Sequence, residues 1–465
     1  MANVSKRGDS YRITVSCGFD GNNKHIRKYM TYKPAAGMTP KQIEKAVQQA
    51  ALEFEKKCLT GQVLDSSTRF RDFADKWFTD YAEKQLEPRT VARYKDLLVR
   101  INAALGNMKL ADIQPYHLQE FYNNLAEKGI RADIKYQPAP LTANLIKESG
   151  QTMENIAEGA GVSLSVVRSC KQGRNVTLRS AEKIAAYFDK PVSELFEPGE
   201  DKGLSDKTIR EHHVLLSSIF STAVQWQVIF SNPCERVKPP KVEYKESRYL
   251  DENGAAALFE ALEGEPYQYA VMIQLFVHTG LRRAELCGLS WDDIDFINKK
   301  IYVHKNSLYL PKKGIYESKT KTRRSTRVIK VSDDALEIIN DYRKWQNDYK
   351  AELGDYWQES GRLFTKQDGR PIHPDTISSW FHDFVQRKQL PDVCVHSLRH
   401  TNATLMIAAG TPLKIVSDRL GHASIQTTSN IYAHQIQSAD AVAADNIAEM
   451  LKKGKDSLDK SKKIG

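Results

Sequence analysis

Apolar residues recur along this chain with two periods, and each change of period marks a new part. YRITVSC alternates apolar and polar positions, FDGNNK is a cluster of turn formers, and HIRKYMTY alternates again, which predicts two strands of a hairpin. From Thr39 the period lengthens: Ile43, Val47, Ala50 and Phe54 fall on one helical face, with Pro40 at the first position and Gln42 closing a T-x-x-Q capping box. FRDFADKWFTDYAEKQL, EPRTVARYKDLLVRINAAL and HLQEFYNNLAEKG repeat that spacing, and LSDKTIREHHVLLSSIFSTAVQWQ, residues 204–227, resumes it. Between them, TMENIAEGAGVSLSVVRSCKQG predicts a helix, a turn at Gly161, Val162 and Ser163, and a second helix ending near Gly173; TLRSAEKIAAYFDKPVSELF adds two more. After the proline- and charge-rich linker NPCERVKPPKVEYKESRYL, the stretches IYVHKNSLYL and ESKTKTRRSTRVIKV predict two strands around a turn at residues 311–314.

These shifts predict a multidomain chain, mainly α with small β-sheets. The expected bounds are residues 1–62 (sheet plus helix), 66–136 with 203–240 (a helical bundle), 138–200 (an insert in that bundle), 245–451 (an α+β domain) and 452–465 (a basic tail). At 465 residues and 41% hydrophobic content there is material for several packed cores. The net charge of +10 and pI near 9.0 favour a polyanionic partner. No segment approaches the ~20 apolar residues of a membrane span, and MANVSKRGDS leads into no apolar stretch of a signal peptide. Six scattered cysteines without CxxC or Cys/His spacing predict a reducing cytoplasm and no structural zinc. With no Walker A box and no paired-carboxylate cluster, no cofactor and no metal are expected.

Three boxes in the second half of the chain carry the chemistry: HTGLRRAEL (residues 278–286), HSLRH (396–400) and LGHASIQTTSNIYAH (420–434). In this order they resemble the catalytic domain of the tyrosine recombinase (phage integrase) family. A tyrosine hydroxyl, with a pKa of about 10, is a poor nucleophile at neutral pH and needs a fixed target and groups that share developing charge. Guanidinium groups stay charged and present forked donors to two phosphate oxygens, so Arg282 and Arg399 are the expected clamp of a phosphorane-like transition state. The resemblance implies Tyr432 as nucleophile, His396 as proton acceptor or phosphate donor, and His422 as donor to a non-bridging oxygen. It gives Glu285 a supporting role and His400 a structural one. The family takes its general acid from a hairpin lysine; Lys321, six residues before Arg327, fits that spacing, with Lys319 the alternate.

The N-terminal sheet and helix resemble the arm-binding domain of many phage and conjugative-transposon integrases. Residues 1–33 hold seven Lys/Arg against Asp9 and Asp20, and Arg27 and Lys28 are the candidate DNA contacts. The interrupted bundle resembles the family's core-binding domain. The insert resembles an Xre/Cro-type helix-turn-helix, with Ala157, Gly161, Val162 and Val167 at the positions that let its two helices cross closely. Arg168, Lys171, Arg174 and Arg179 cluster on and after its second helix, as a groove-binding surface requires, although such modules also serve as protein docking domains. The tail, residues 452–465, has six lysines against two aspartates.

The resemblance implies a site-specific DNA recombinase of phage or conjugative-element type, acting through a 3′-phosphotyrosine in the cytoplasm at the nucleoid. Its partners would be double-stranded DNA at core and arm sites, with a free monomer, a tetramer on DNA, and an excisionase or DNA-bending accessory protein. Two alternatives remain at this level: a type IB topoisomerase-like relaxing enzyme, distinguished by whether strands change partners, and an Xre-type DNA-binding regulator with vestigial catalytic boxes.

Overall fold

The computed structural model describes residues 2–19, 25–35, 37–59, 68–131, 134–200, 202–243, 248–319, 325–422, 424–431, 447, 451 and 452. They fall into two units, Met1–Glu243 and Tyr244–Gly465.

In the first unit β1 (Asn3–Arg7), β2 (Ser10–Phe19) and β3 (His25–Tyr32) form an antiparallel sheet in that order, covered on one face by α1 (Pro40–Leu59). Ile13 and Val15 of β2 point inward to Ala51, Phe54 and Cys58. At the start of α1 the backbone N–H of Thr39 donates to Gln42 Oε1 at 2.9 Å, and that of Gln42 to Thr39 Oγ1 at 3.4 Å, the reciprocal cap that the T-x-x-Q pattern predicts. The third strand, β1, has no counterpart in the apolar pattern. All five of its residues are exposed, so its ladder to β2 places it, and burial does not.

The bundle begins with α2 (Phe70–Trp77), a π-helical turn over Phe78–Ala82, α3 (Glu83–Gln85), α4 (Pro88–Leu105) and α5 (Pro115–Ala126). The chain then passes through a second core. β4 (Lys135–Pro138), α6 (Pro140–Glu148), α7 (Met153–Gly159), α8 (Leu164–Lys171), β5 (Val176–Thr177), α9 (Leu178–Tyr187), α10 (Val192–Leu195) and β6 (Phe196–Pro198) enclose Ile156, Val167, Cys170, Ile184 and Leu195. The helix α6 and the three short strands add to the predicted set, because strands of two to four residues carry too few positions to show a period. Ala157 and Val167 are buried as expected, but Gly161 makes no tight helix contact. It sits at φ +61 in the turn after α7, and the close approach is at Gly159, where a Cβ would meet the Tyr187 ring at 2.5 Å.

Strand β6 pairs antiparallel with β4, so this part of the chain enters and leaves at neighbouring points. The backbone N–H of Leu204 then donates to Leu125 O at 2.8 Å. A Cβ at Gly203 would run into Ala126 O, so only glycine fits where the chain returns to the end of α5. From there α11 (Asp206–Gln225) adds Leu215, Leu216, Ile219 and Phe220 to the core of Phe70, Trp77, Ile101 and Phe121. Burial of a side chain of this size contributes on the order of 1.5–3 kcal/mol. The indole N–H of Trp77 donates to Thr222 Oγ1 at 2.9 Å, so the polar edge of this buried ring is satisfied.

The second unit runs α12 (Glu252–Ala261), α13 (Tyr267–Thr279), α14 (Arg283–Leu286), β7 (Ile294–Asp295), β8 (Lys300–Val303), β9 (Lys305–Leu310), β10 (Gly314–Lys319), β11 (Arg327–Lys330), α15 (Asp333–Leu353), α16 (Pro374–Arg387), α17 (Val395–Ala408), α18 (Leu413–Leu420) and α19 (Ile425–Ile431). α13 is apolar nearly all round, with Met272, Ile273, Leu275 and Phe276 fully buried, and it lies against α17. The turn at residues 311–314 is as predicted, but each arm contributes two strands, in different sheets, instead of one: β8 and β9 before it, β10 and β11 after it. β8 belongs to the sheet β11-β8-β7 and buries Ile301 and Val303, whereas β9 leaves at His304 to pair with β10 and pass against α14. Among the described residues no helix is long and apolar enough to cross a membrane.

Candidate active site

α13 ends at Gly280, whose φ of +65 closes the helix in the left-handed region. A Cβ there would meet Asn402 Oδ1 at 2.5 Å, so strain and space both require glycine. Asn402, two residues beyond the HSLRH box, donates from Nδ2 to Val277 O at 2.7 Å and caps the same helix end. The chain then turns, and Arg282 becomes the N-cap of α14. Its backbone N–H donates to Glu285 Oε2 and its Nη1 to Glu285 Oε1, each at 2.8 Å.

The LGH box repeats the device. α18 ends at Gly421, φ +68, and His422 follows. Successive carbonyls of this turn anchor both arginines: Arg399 donates from Nη2 to Leu420 O at 2.6 Å, and Arg282 from Nη2 to Gly421 O at 3.1 Å. Arg399 also reaches back from Nη1 to Gly280 O at 2.8 Å. Three boxes spread over more than a hundred residues thus share one hydrogen-bonded junction. His396 and His400, one helical turn apart on α17, meet edge to face with ring centroids 4.9 Å apart. His422 Nδ1 lies 2.8 Å from the Oγ1 of Thr428, which is fully buried on α19. His278 stacks on Phe259 and packs as part of the fold.

The electrostatics suit an anion. Burial, then the charge of Arg399 and Arg282, pushes His396 below the ordinary histidine range. Burial, then His396 and Arg399, pushes His400 down to about 4, and burial, then Arg399 and Arg282, pushes His422 down to about 4. Neutral imidazoles beside two fixed guanidinium charges leave a positive site whose natural complement is a phosphate. Burial pushes the Glu285 carboxyl up, but hydrogen bonding and charge from Arg327 and then Arg282 outweigh it and bring it to about 2.

Arg327 enters the sequence pattern only as a spacing marker, yet it sits in this junction. It donates from Nη1 to Glu285 Oε1 at 3.0 Å, from Nη2 to Glu285 Oε2 at 2.9 Å and from Nε to Arg419 O at 2.7 Å. Arg419 in turn donates to Lys330 O at 2.7 Å and His278 O at 3.0 Å, tying α18 to β11 and to the end of α13. Neither arginine belongs to a box, and a basic residue opening a strand gives no local sign of burial.

Tyr432 and Lys321 lie outside the described residues, as does most of the segment after the tyrosine. Lys319 is the last residue of β10, opposite Lys305. On the N-terminal sheet, Arg27 and Lys28 point to opposite faces. Arg27 is exposed on the open face, while Lys28 shares the helix-covered face with Met30 and Tyr32. Arg12 occupies the open face in its place, with its guanidinium 4.1 Å from the centroid of the Tyr29 ring. Arg168 and Lys171 are exposed on α8, and Arg174 is half-buried just beyond it.

Residues 248–438 match the sequence model of the "Phage integrase family", and residues 69–126 match that of "Phage integrase, N-terminal SAM-like domain", together more than half of the chain. The chain belongs to the phage integrase family. It is a tyrosine recombinase, an enzyme of DNA strand cleavage and rejoining. A tyrosine recombinase XerC-like protein of Caldanaerobacter subterraneus is 29% identical to this recombinase over 296 residues, spanning 60% of this chain and 73% of that one. The ICEBs1 integrase of Bacillus subtilis is 27% identical over 251 residues, 54% of this chain and 68% of that one. The fold is similar to that of the Tn1549 transposon integrase in a complex with circular intermediate DNA, with a TM-score of 0.55 and 19% identity, over 82% of this chain and all of that one.

Proposed function

We propose that this recombinase integrates and excises a phage or conjugative element by the following chemistry. Tyr432 Oη attacks a DNA phosphorus and passes its proton to His396, the P–O5′ bond breaks, and the 5′ hydroxyl leaves with a proton from Lys321 or Lys319. The 3′-phosphotyrosine keeps the bond energy, and a 5′ hydroxyl of another strand attacks it, returning the tyrosine. Arg282 and Arg399 hold the non-bridging oxygens, His422 donates to one of them, and His396 assists proton transfer. The observation that carries this reading is the shared junction: both guanidinium groups are anchored by consecutive carbonyls, Leu420 and Gly421, immediately before His422. Recombining two duplexes cuts four strands with one tyrosine per chain, which calls for four protomers on DNA. The relatives are named recombinases and integrases, which favours strand exchange over relaxation by a topoisomerase-like enzyme.

The bundle and the N-terminal sheet supply duplex contacts in the same proposal, the sheet through Arg27 and Arg12 on its open face. The insert at residues 138–200 reads DNA beside the core site through α8, with Ser165, Arg168 and Lys171 facing out while Val167 and Cys170 face its core. The test is a nicked suicide duplex carrying a short repeat that flanks the gene: covalent protein–DNA adduct at Tyr432 is the expected product. An adduct at another residue, or none with any flanking repeat, overturns the mechanism.

A further inference from the structure

Arg327 divides its donors in a way that a simple ion pair does not require. Both carboxylate oxygens of Glu285 receive a bond from it, at 3.0 and 2.9 Å, while Nε is spent on the carbonyl of Arg419, three residues before His422. Its side chain is 7% exposed and that of Glu285 1%. Glu285 in turn holds Arg282 by side chain and backbone. The packing is as constrained as the bonding: a Cβ on Gly421 would lie 3.0 Å from Arg327 Nη1 and 3.1 Å from its Cδ, so the glycine of the LGH box leaves room for this guanidinium as well as adopting a positive φ. Arg327 opens β11 and is paired with Val303, which fixes its backbone to the sheet.

We propose that Arg327 is a positioning residue for strand cleavage, one that sets the register between Arg282 and the Leu420–His422 turn. It touches no phosphate. It acts through Glu285 on one side and the Arg419 carbonyl on the other, so that the clamp guanidinium and the His422 imidazole meet the same phosphate in the geometry of the transition state. The proposal rests on the recombinase reading above, and wild-type protein on the nicked flanking-repeat duplex is the control for that reading.

Arg327→Lys retains the charge beside Glu285, and a single ammonium cannot bridge two carboxylate oxygens and a carbonyl in the same plane. The variant should bind the duplex within a few-fold of wild type and cleave at least about tenfold more slowly, the scale expected when a transition-state donor is misplaced. On a duplex whose scissile phosphate is a methylphosphonate, one non-bridging oxygen is a neutral methyl group and a misplaced clamp matters less. The deficits of Arg327→Lys and of Arg282→Ala should both shrink there. Arg327→Gln is measured in parallel, and whichever of the two Arg327 variants melts above the assay temperature decides. Cleavage at the wild-type rate, or the same deficit on phosphate and methylphosphonate, overturns the positioning role. Failure of both variants to fold also overturns it, since Arg327 is then a stability residue. Absence of any wild-type adduct instead overturns the recombinase reading.

Discussion

Thr428 Oγ1 lies 2.8 Å from His422 Nδ1, and the threonine is fully buried. With Nδ1 so engaged, Nε2 is the ring nitrogen left to face a phosphate oxygen, and a hydroxyl that donates to Nδ1 keeps the ring proton on Nε2. Thr428→Val keeps the side chain's shape without its hydroxyl and should slow adduct formation about three- to tenfold, the worth of one hydrogen bond. Thr428→Ser should stay near wild type. A valine variant that cleaves normally would leave His422 oriented by something else.

The nucleophile and the clamp are separable in the same assay. Tyr432→Phe should give no adduct and bind the duplex within a few-fold of wild type, because one hydroxyl adds little to an interface of phosphate contacts. Arg282→Ala and Arg399→Ala should each lower cleavage by about a hundredfold or more, since each removes donors whose value is greatest in the transition state. Arg399→Ala should also lower the melting temperature more than Arg282→Ala. It is the more deeply buried of the two, and its loss leaves the carbonyls of Gly280 and Leu420 without that partner.

The general acid is settled by a substrate whose 5′-bridging oxygen is sulfur, a leaving group that needs no proton. Of Lys321→Ala and Lys319→Ala, the variant that has lost the acid should regain most of its cleavage rate on that substrate, and the other should show no such selective rescue. Rescue of Lys319→Ala alone would move the role to the end of β10.

Stability should fall in mild acid. His400 and His422 are each pushed down to about 4 from an ordinary value of 6.5, so the folded state takes up fewer protons than the unfolded one between those limits. Their contribution is therefore fully present above pH 6.5 and is lost as pH falls toward 4. Calorimetric melting between pH 7.5 and 4.5 should show that decline, with a shallower slope in His400→Asn. Glu285, brought to about 2, contributes stability that is present above its ordinary 4.5 and lost only in stronger acid, so it leaves this window unchanged. A flat melting temperature from pH 7.5 to 4.5 would contradict the burial of these rings.

Arg168→Ala with Lys171→Ala should erase protection over a few base pairs beside the core site without slowing cleavage of a minimal core duplex. Removing a side chain that bonds a base edge costs about 1–3 kcal/mol, whereas removing one that pairs with a phosphate weakens binding uniformly and lowers its salt dependence. An unchanged footprint and unchanged affinity across salt would assign the insert to protein docking.

The sequence alone determined the elements that local rules govern and the residues whose chemistry is unusual in its context. The T-x-x-Q cap at Thr39, the turn at residues 311–314 and the helical faces of the bundle are local, because backbone preferences and apolar spacing act within a few residues. The TGLR, HSLRH and LGH boxes are legible because arginine, histidine and glycine at those spacings have few other reasons to coincide. Tertiary structure decided what depends on partners distant in the chain. The burial of Arg327 and half-burial of Arg419, the capping of α13 by Asn402, the bend at His304 and the choice of which face of β3 the helix covers follow from packing and hydrogen bonding between segments. A buried arginine and an exposed one look alike in sequence. The difference lies in whether a carboxylate and a set of carbonyls from other segments converge to replace the water that the charge gives up.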